Sequence, residues 1–383
     1  MTEKLYDKDS YITEFEAVVN SLEEQDGYFY IVLNKTAFFP EGGGQPSDKG
    51  SLNDAEISDV QIKDGVIYHK CDKAFSLGEK VTGKINWKRR FDFMQQHSAE
   101  HVVSGVAHSL YGCENVGFHL SEDIVTLDFD KPLTKEQIAN LEKESVKKVF
   151  ENNKITAFYP DKATLSELSY RSKKEIEGDV RIVSIENVDA CACCAPHVKS
   201  TGEIGILKFI YSEKRRGGVR IEMKAGGRAF EDYLLKHENT AKISSLLCVK
   251  AENTALEVEK LCEQTAKLRG EIVNFKRQAI LAKVADFAPE GQVTAEFEDG
   301  LEIKELQNFA DALYKKAGGV RAALSPKEDG FAFVICGDEQ SLAKLFAEFK
   351  AKFTVKGGGR GTMVQGTVFA QKNEILEFFG CLK

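Results

Sequence analysis

Two short clusters in this chain hold residues that could do metal chemistry. Gln96-His97-Ser98-Ala99-Glu100-His101 offers two imidazoles at i,i+4. Cys193-Cys194-Ala195-Pro196-His197 offers a thiol and a third imidazole at the same spacing. Three imidazoles and one thiolate are a donor set that suits Zn²⁺. At helical spacing, His97 and His101 project from one face. Pro196 disfavours a helical Ala195, so Cys193 and His197 are expected on a loop. Cys191 and Cys194 are rival thiols, and a closed zinc staple without chemistry would use the same donors. In zincin proteases a glutamate follows the first histidine. Here Glu100 directly precedes the second, so a protease of that type is unsupported. The candidate catalytic side chains are Glu100 and Gln45.

The elements that must position these residues can be read in outline. Residues 1–87 alternate in the β manner, as in Tyr28–Leu33 and Val60–Tyr68, and are expected to form a small β-barrel. It is interrupted by Phe39-Pro-Glu-Gly-Gly-Gly-Gln-Pro-Ser-Asp48. Three consecutive glycines fit neither helix nor strand, so Gly42, Gly43 and Gly44 are read as a loop that something can approach closely. From Trp87 to Leu110 the apolar spacing turns helical and carries both histidines. A second helix is expected over 135–152, capped by Thr134. Strands are expected near Val180–Ile185 and Ile204–Tyr211, making 88–230 an α+β domain. Residues 231–286 read as a helical hairpin or coiled-coil segment, with Val258, Leu261, Thr265, Leu268, Ile272, Phe275 and Ala279 alternating as a and d positions. Pro289 and Gly291 mark the next boundary. Residues 287–383 alternate helix and strand and read as a small α/β domain with a second Gly-rich loop, Lys356-Gly357-Gly358-Gly359-Arg360. The fold class is α+β throughout.

Composition narrows the function. The 383 residues carry a net charge of −8, so the molecule as a whole is no basic nucleic-acid coat. Any RNA contact must come from local patches. Arg215, Arg216 and Arg220 lie in one, and Lys356 and Arg360 lie in an acid-free stretch over 349–373. Glycines beside such cations let a phosphate backbone come near. No apolar run spans a bilayer and the N-terminus lacks a signal-peptide core, so no membrane contact is expected. Nine cysteines without framework spacing point to a reducing, cytoplasmic compartment.

Taken together, Phe38–Asp48, Arg89–His101, Cys193-x-x-x-His197 followed by Thr201-Gly-Glu-Ile-Gly205, and Gly218-Val-Arg-Ile-Glu222 resemble the editing region of alanyl-tRNA synthetases and the free-standing AlaX-type trans-editing proteins. Their order and spacing match as well. The helical segment and the Gly-Gly-Gly-Arg360 end resemble the C-terminal domain of those synthetases, and the layout is similar to the long AlaX form. The resemblance implies Zn²⁺ at His97, His101, Cys193 and His197. It implies hydrolysis of the ester joining serine or glycine to alanine tRNA, in trans, and a homodimer through the C-terminal half. Where the family commonly has Cys-Gly-Gly-Thr-His, this chain has Cys193-Cys-Ala-Pro-His197. Where many synthetases carry Thr before the second zinc histidine, it has Glu100. Both departures fall where serine would be discriminated. The barrel is expected to begin almost at residue 1, leaving no room for an aminoacylation domain, and no Asp-His-His triplet supports a phosphoesterase. The alternative is a noncatalytic, zinc-stapled tRNA-binding protein.

Overall fold

The computed structural model describes residues 2–172, 179–288 and 291–381. Pro289, read above as a boundary, lies outside the described residues. Two compact units divide the chain, Met1–Lys242 and Ile243–Lys383.

In the first unit, alternating burial along Glu14–Gln25 and Val66–Cys71 gives each strand one inward face. Asp26-Gly27 and Asp64-Gly65 both take positive φ, the backbone that tight two-residue hairpins demand. The second of these turns cuts the expected Val60–Tyr68 run into two strands, Ala55–Lys63 and Val66–Cys71. Six strands close into a barrel in the order Glu14–Gln25, Tyr28–Leu33, Val66–Cys71, Ala55–Lys63, Gly50–Leu52, Lys80–Ile85. Ile31, Leu33, Leu52 and Ile57 fill it, joined by Phe38 and Phe39 from the start of the glycine loop.

Asn86 caps the next element, its side chain accepting from the Arg89 amide at 3.1 Å. That element is the histidine helix, Trp87–Tyr111, which ends on Gly112 at φ 61°. Its apolar face joins a core with a four-stranded antiparallel sheet ordered Leu207–Arg215, Gly218–Ala225, Val125–Phe129, Asn115–Leu120. The helix Lys135–Phe150 packs beside it and starts on a full capping box of Thr134 and Gln137. A three-stranded sheet, Ile155–Phe158, Ile182–Ile185 and Asp189–Ala192, delivers the cysteine cluster. The strand expected from Ile204 begins only at Leu207, because Thr201–Ile204 forms a 3₁₀ turn closed by Gly205.

Barrel and histidine helix are tied by a buried ion pair. Arg90 donates from Nε to both Asp48 oxygens at 2.9 and 3.0 Å and from Nη2 to Oδ2 as well. Nη1 and Nη2 also reach the carbonyls of Ser10 at 2.9 Å and Ala37 at 2.6 Å. Neither side chain is exposed by more than 2 %.

The boundary between units falls inside the helix Gly226–Leu247. In the second unit, Thr254–Asp286 is one 33-residue helix. Val258, Leu261, Leu268, Ile272 and Phe275 are all exposed along it, so the seam is not buried within the chain. A five-stranded sheet follows, ordered Val293–Phe297, Val320–Lys327, Gly330–Cys336, Met363–Phe369, Thr354–Arg360. The helices Ile303–Ala317 and Glu339–Lys352 pack on it. One expectation is corrected here. Lys356–Arg360 is not a loop but part of the edge strand Thr354–Arg360, registered against Met363–Phe369 with Gly357 opposite Gly366. An edge strand needs one partner, and glycines there lose little packing that a central strand would require. Among the described residues no helix is long and apolar enough to cross a membrane.

Candidate metal centre

The histidine helix supplies His97 and His101, and the loop after Asp189–Ala192 supplies Cys193 and His197. Their ligand atoms lie within 4.8 Å of one another. Cys193 Sγ is 3.6 Å from His97 Nε2 and 3.4 Å from His197 Nε2. The three histidines are buried to 5 % exposure or less. Cys194 stands outside this set, its sulfur close to Gly42 and Gly43 instead. Cys191 groups with His101 and Asp189.

Each imidazole turns its other nitrogen to a partner, the arrangement that orients metal-bound histidines. Gln45 Oε1 lies 2.8 Å from His97 Nδ1. An amide oxygen only accepts, so Nδ1 carries the proton and Nε2 presents a lone pair to the centre. Ser98 Oγ lies 3.0 Å from His197 Nδ1. Asp189 Oδ2 lies 3.4 Å from His101 Nδ1, which leaves Nε2 of His101 for the centre. Glu100 Oε2 is 3.7 Å from that Nε2, while its Oε1 accepts from Ser104 Oγ at 2.9 Å and Asn115 Nδ2 at 2.5 Å.

The Cys193–His197 loop is held at three points. Arg181 Nη1 donates to the carbonyls of Cys193 at 3.0 Å and Ala195 at 2.9 Å. Ser10 Oγ donates to the His197 carbonyl at 2.8 Å. The Val198 amide donates to Ser98 Oγ at 3.3 Å. Gln45 is placed by a tight turn in which Gly42 and Gln45 exchange backbone hydrogen bonds at 3.1 and 3.0 Å. Gly43 and Gly44 adopt positive φ there, and a Cβ on Gly44 would stand 3.0 Å from the Phe118 ring. The glycines therefore serve the packing that sets Gln45 under His97.

The electrostatics fit a thiolate at Cys193 facing a neutral His197 and a His101 drawn toward its charged form. Burial opposes ionisation of Cys193, but His97 and His197 facing it draw the thiol well below its usual value. Burial pushes His197 down to about 3 despite the neighbouring sulfur. Burial likewise opposes charge on His101, yet Asp189, Cys193 and Glu100 raise it well above an ordinary histidine. Burial pushes the Cys194 thiol up to about 11, keeping it a thiol. Sulfur, nitrogen donors and their tautomers thus suit a borderline-soft ion of zinc's kind.

A cavity of about 340 Å³ is lined by Gly44, Gln45, Arg89, His119 and Glu122 among others, so Gln45 stands between it and His97. A larger one of about 770 Å³ shares Arg89 and Glu122 with it and is lined by Trp87, Phe91 and Arg228.

The candidate RNA contacts are divided between the two units. Arg220 is held by Asp128 through two bonds of 2.6 Å, and Arg215 by Glu213 at 2.6 Å. Two of the three arginines are thus answered within their own unit, while Arg216 sits at the exposed hairpin turn. Lys356, Gly357, Gly358, Gly359 and Arg360 lie in the second unit on the edge strand. Sequence reasoning missed Asp189, Arg181, Ser98 and Ser10. Ser98 stood inside the histidine motif, but nothing in the pattern marked the others.

Residues 5–89 match the family of tRNA synthetases class II (A), and residues 180–222 match the threonyl and alanyl tRNA synthetase second additional domain. Over 98 % of its length the chain is 28 % identical to the alanyl-tRNA editing protein AlaX-L of Pyrococcus horikoshii and covers 97 % of that protein. It is 26 % identical to the alanyl-tRNA editing protein Aarsd1 of Rattus norvegicus, covering 93 % of it. It is 30 % identical to the alanine–tRNA ligase of Ignicoccus hospitalis, but spans only 42 % of that protein's length. The solved C-Ala domain of Aquifex aeolicus alanyl-tRNA synthetase aligns with 24 % of this chain and 96 % of its own at 23 % identity and a TM-score of 0.20. The chain is a homologue, over nearly its whole length, of the long AlaX-type alanyl-tRNA editing proteins.

Proposed function

We propose that this chain hydrolyses the ester of alanine tRNA mischarged with serine, and also with glycine, using Zn²⁺ held by His97, His101, Cys193 and His197. The observation that carries the reading is the convergence of three imidazoles on the Cys193 sulfur, each with its Nδ1 turned to a separate partner. Bound there, Zn²⁺ would polarise an ester carbonyl or lower the pKa of a water. Glu100 is the proposed general base, accepting at Oε2 the proton of the water that attacks the carbonyl carbon. The carbonyl carbon then loses its bond to the ribose oxygen, and Glu100 returns the proton to that oxygen. Gln45 acts through His97, fixing its tautomer and orientation. The need for such a site is physical. A synthetase pocket shaped for a methyl group cannot strongly reject a smaller side chain or one that adds only a hydroxyl.

The tRNA is proposed to meet Arg216 and the basic edge strand around Lys356 and Arg360, and the exposed seam of Thr254–Asp286 to pair two copies. The noncatalytic reading keeps one observation in its favour, that four protein donors, three buried and Cys193 half-buried, leave no open tetrahedral position. Purified chain given serine-charged alanine tRNA separates the two. Release of free serine supports the hydrolase, and tight binding without turnover supports the binder.

A further inference from the structure

Resting on the zinc reading, we infer that Asp189, held by Arg171, is the positioning residue that makes His101 the anchoring ligand of the centre. The three histidines are not backed alike. His97 leans on a neutral amide and His197 on a hydroxyl. Only His101 faces a carboxylate across its Nδ1, Asp189 Oδ2 at 3.4 Å. A carboxylate behind the ring raises the basicity of the opposite nitrogen more than a neutral partner does.

Three observations make this a built arrangement. Arg171 grips Asp189 through Nε and Nη2 at 2.8 and 2.6 Å, so the carboxylate is fixed from behind. The side chain of Asp189 is only 3 % exposed. His101 Nδ1 is sealed from solvent yet makes no aligned hydrogen bond. A buried N–H left so is costly, and a small ring rotation toward Asp189, as Nε2 takes up an ion, would recover it.

The close approach has its own device. Gly105 lies one turn beyond His101 on the histidine helix. A Cβ there would stand 2.7 Å from the Val188 carbonyl oxygen and 2.8 Å from Asp189 Cβ. The absence of a side chain at Gly105 lets the turn carrying Asp189 come down onto the helix. Asp189 and Gly105 therefore serve one distance from two sides.

The test is zinc affinity of the full chain, measured by competition with a chromophoric chelator and by the visible spectrum of the cobalt-substituted protein. Asp189→Asn is expected to weaken zinc about 10–100-fold and to shift the cobalt bands. Gly105→Ala should weaken it in the same direction by pushing the Val188–Asp189 turn off the helix, with the Asp189 carboxylate itself unchanged. Gln45→Met, which removes the neutral partner of His97, should cost less than Asp189→Asn. Melting of the metal-free chain followed by Trp87 fluorescence checks that the variants are folded. Folded Asp189→Asn and Gly105→Ala variants that bind zinc like the parent overturn the proposal, as does a larger loss from Gln45→Met. A parent chain that binds no zinc overturns instead the reading on which it rests.

Discussion

Replacing Arg90 by Met should destabilise the first unit by about 3–5 kcal/mol, the typical cost of removing one partner from a buried pair. Arg90 is fully buried and Asp48 is 1 % exposed. The variant strands the Asp48 carboxylate with the Phe39 amide, 2.6 Å away, as its remaining buried donor. It also strips Arg90's bonds from the carbonyls of Ser10 and Ala37. An unpaired buried acceptor costs about 1–3 kcal/mol, so entry of one water would bring the loss toward the lower figure. Trp87 is the chain's single tryptophan and lies one turn before Arg90 on the same helix. Its fluorescence therefore follows the unit that holds the pair. Urea is the denaturant of choice because guanidinium chloride screens ion pairs. With a slope near the upper end of the usual range, about 3 kcal/mol/M, the midpoint should fall by roughly 1–2 M. Arg90→Met/Asp48→Asn should lose less than the two single changes summed, since the second change removes the stranded charge. A midpoint lowered by under about 0.3 M at unchanged slope would place the pair among exposed bridges worth at most about 1 kcal/mol, and would refute the reasoning.

Elemental analysis should find about one zinc per chain, and His101→Ala should lower it while Cys194→Ala retains it; a folded, active, metal-free chain would sink the centre. Buried His69, bonded to the Ile31 carbonyl and Thr36 Oγ1, is pushed down to about 4 by burial, against about 6.5 in the unfolded chain. Between those values the unfolded state binds more protons, so the first unit should lose on the order of 3 kcal/mol as pH falls through that window; a His69→Gln variant with an unchanged pH profile would count against this. Truncation after about residue 286 should weaken tRNA affinity and flatten its salt dependence, and equal affinity in filter binding would remove the second unit from tRNA recognition. Light scattering should return a dimer mass that Leu268→Glu reduces to a monomer; a monomeric parent would end the seam proposal.

Local pattern was enough wherever the signal is local. Apolar spacing marked the helix carrying His97 and His101, and Thr134 marked the start of Lys135–Phe150. The same logic failed at Lys356–Arg360. Glycine runs break strands on average, but a cross-strand ladder satisfies their backbone as well as any other. It also joined Val60–Tyr68 across the Asp64-Gly65 turn.

The sequence by itself determined which donors exist and how each pair is spaced along its own segment. Only the tertiary structure decided that Cys193 Sγ meets His97 and His197, that Gln45 stands behind His97, and that Asp189 faces His101. Those meetings join residues on a barrel turn, a helix, a strand end and a loop. They depend on buried contacts such as Arg90–Asp48 and the close packing at Gly105, which act between segments far apart in the chain and leave no periodic trace in it. A partner's identity is local chemistry, whereas its distance is set by how whole elements pack.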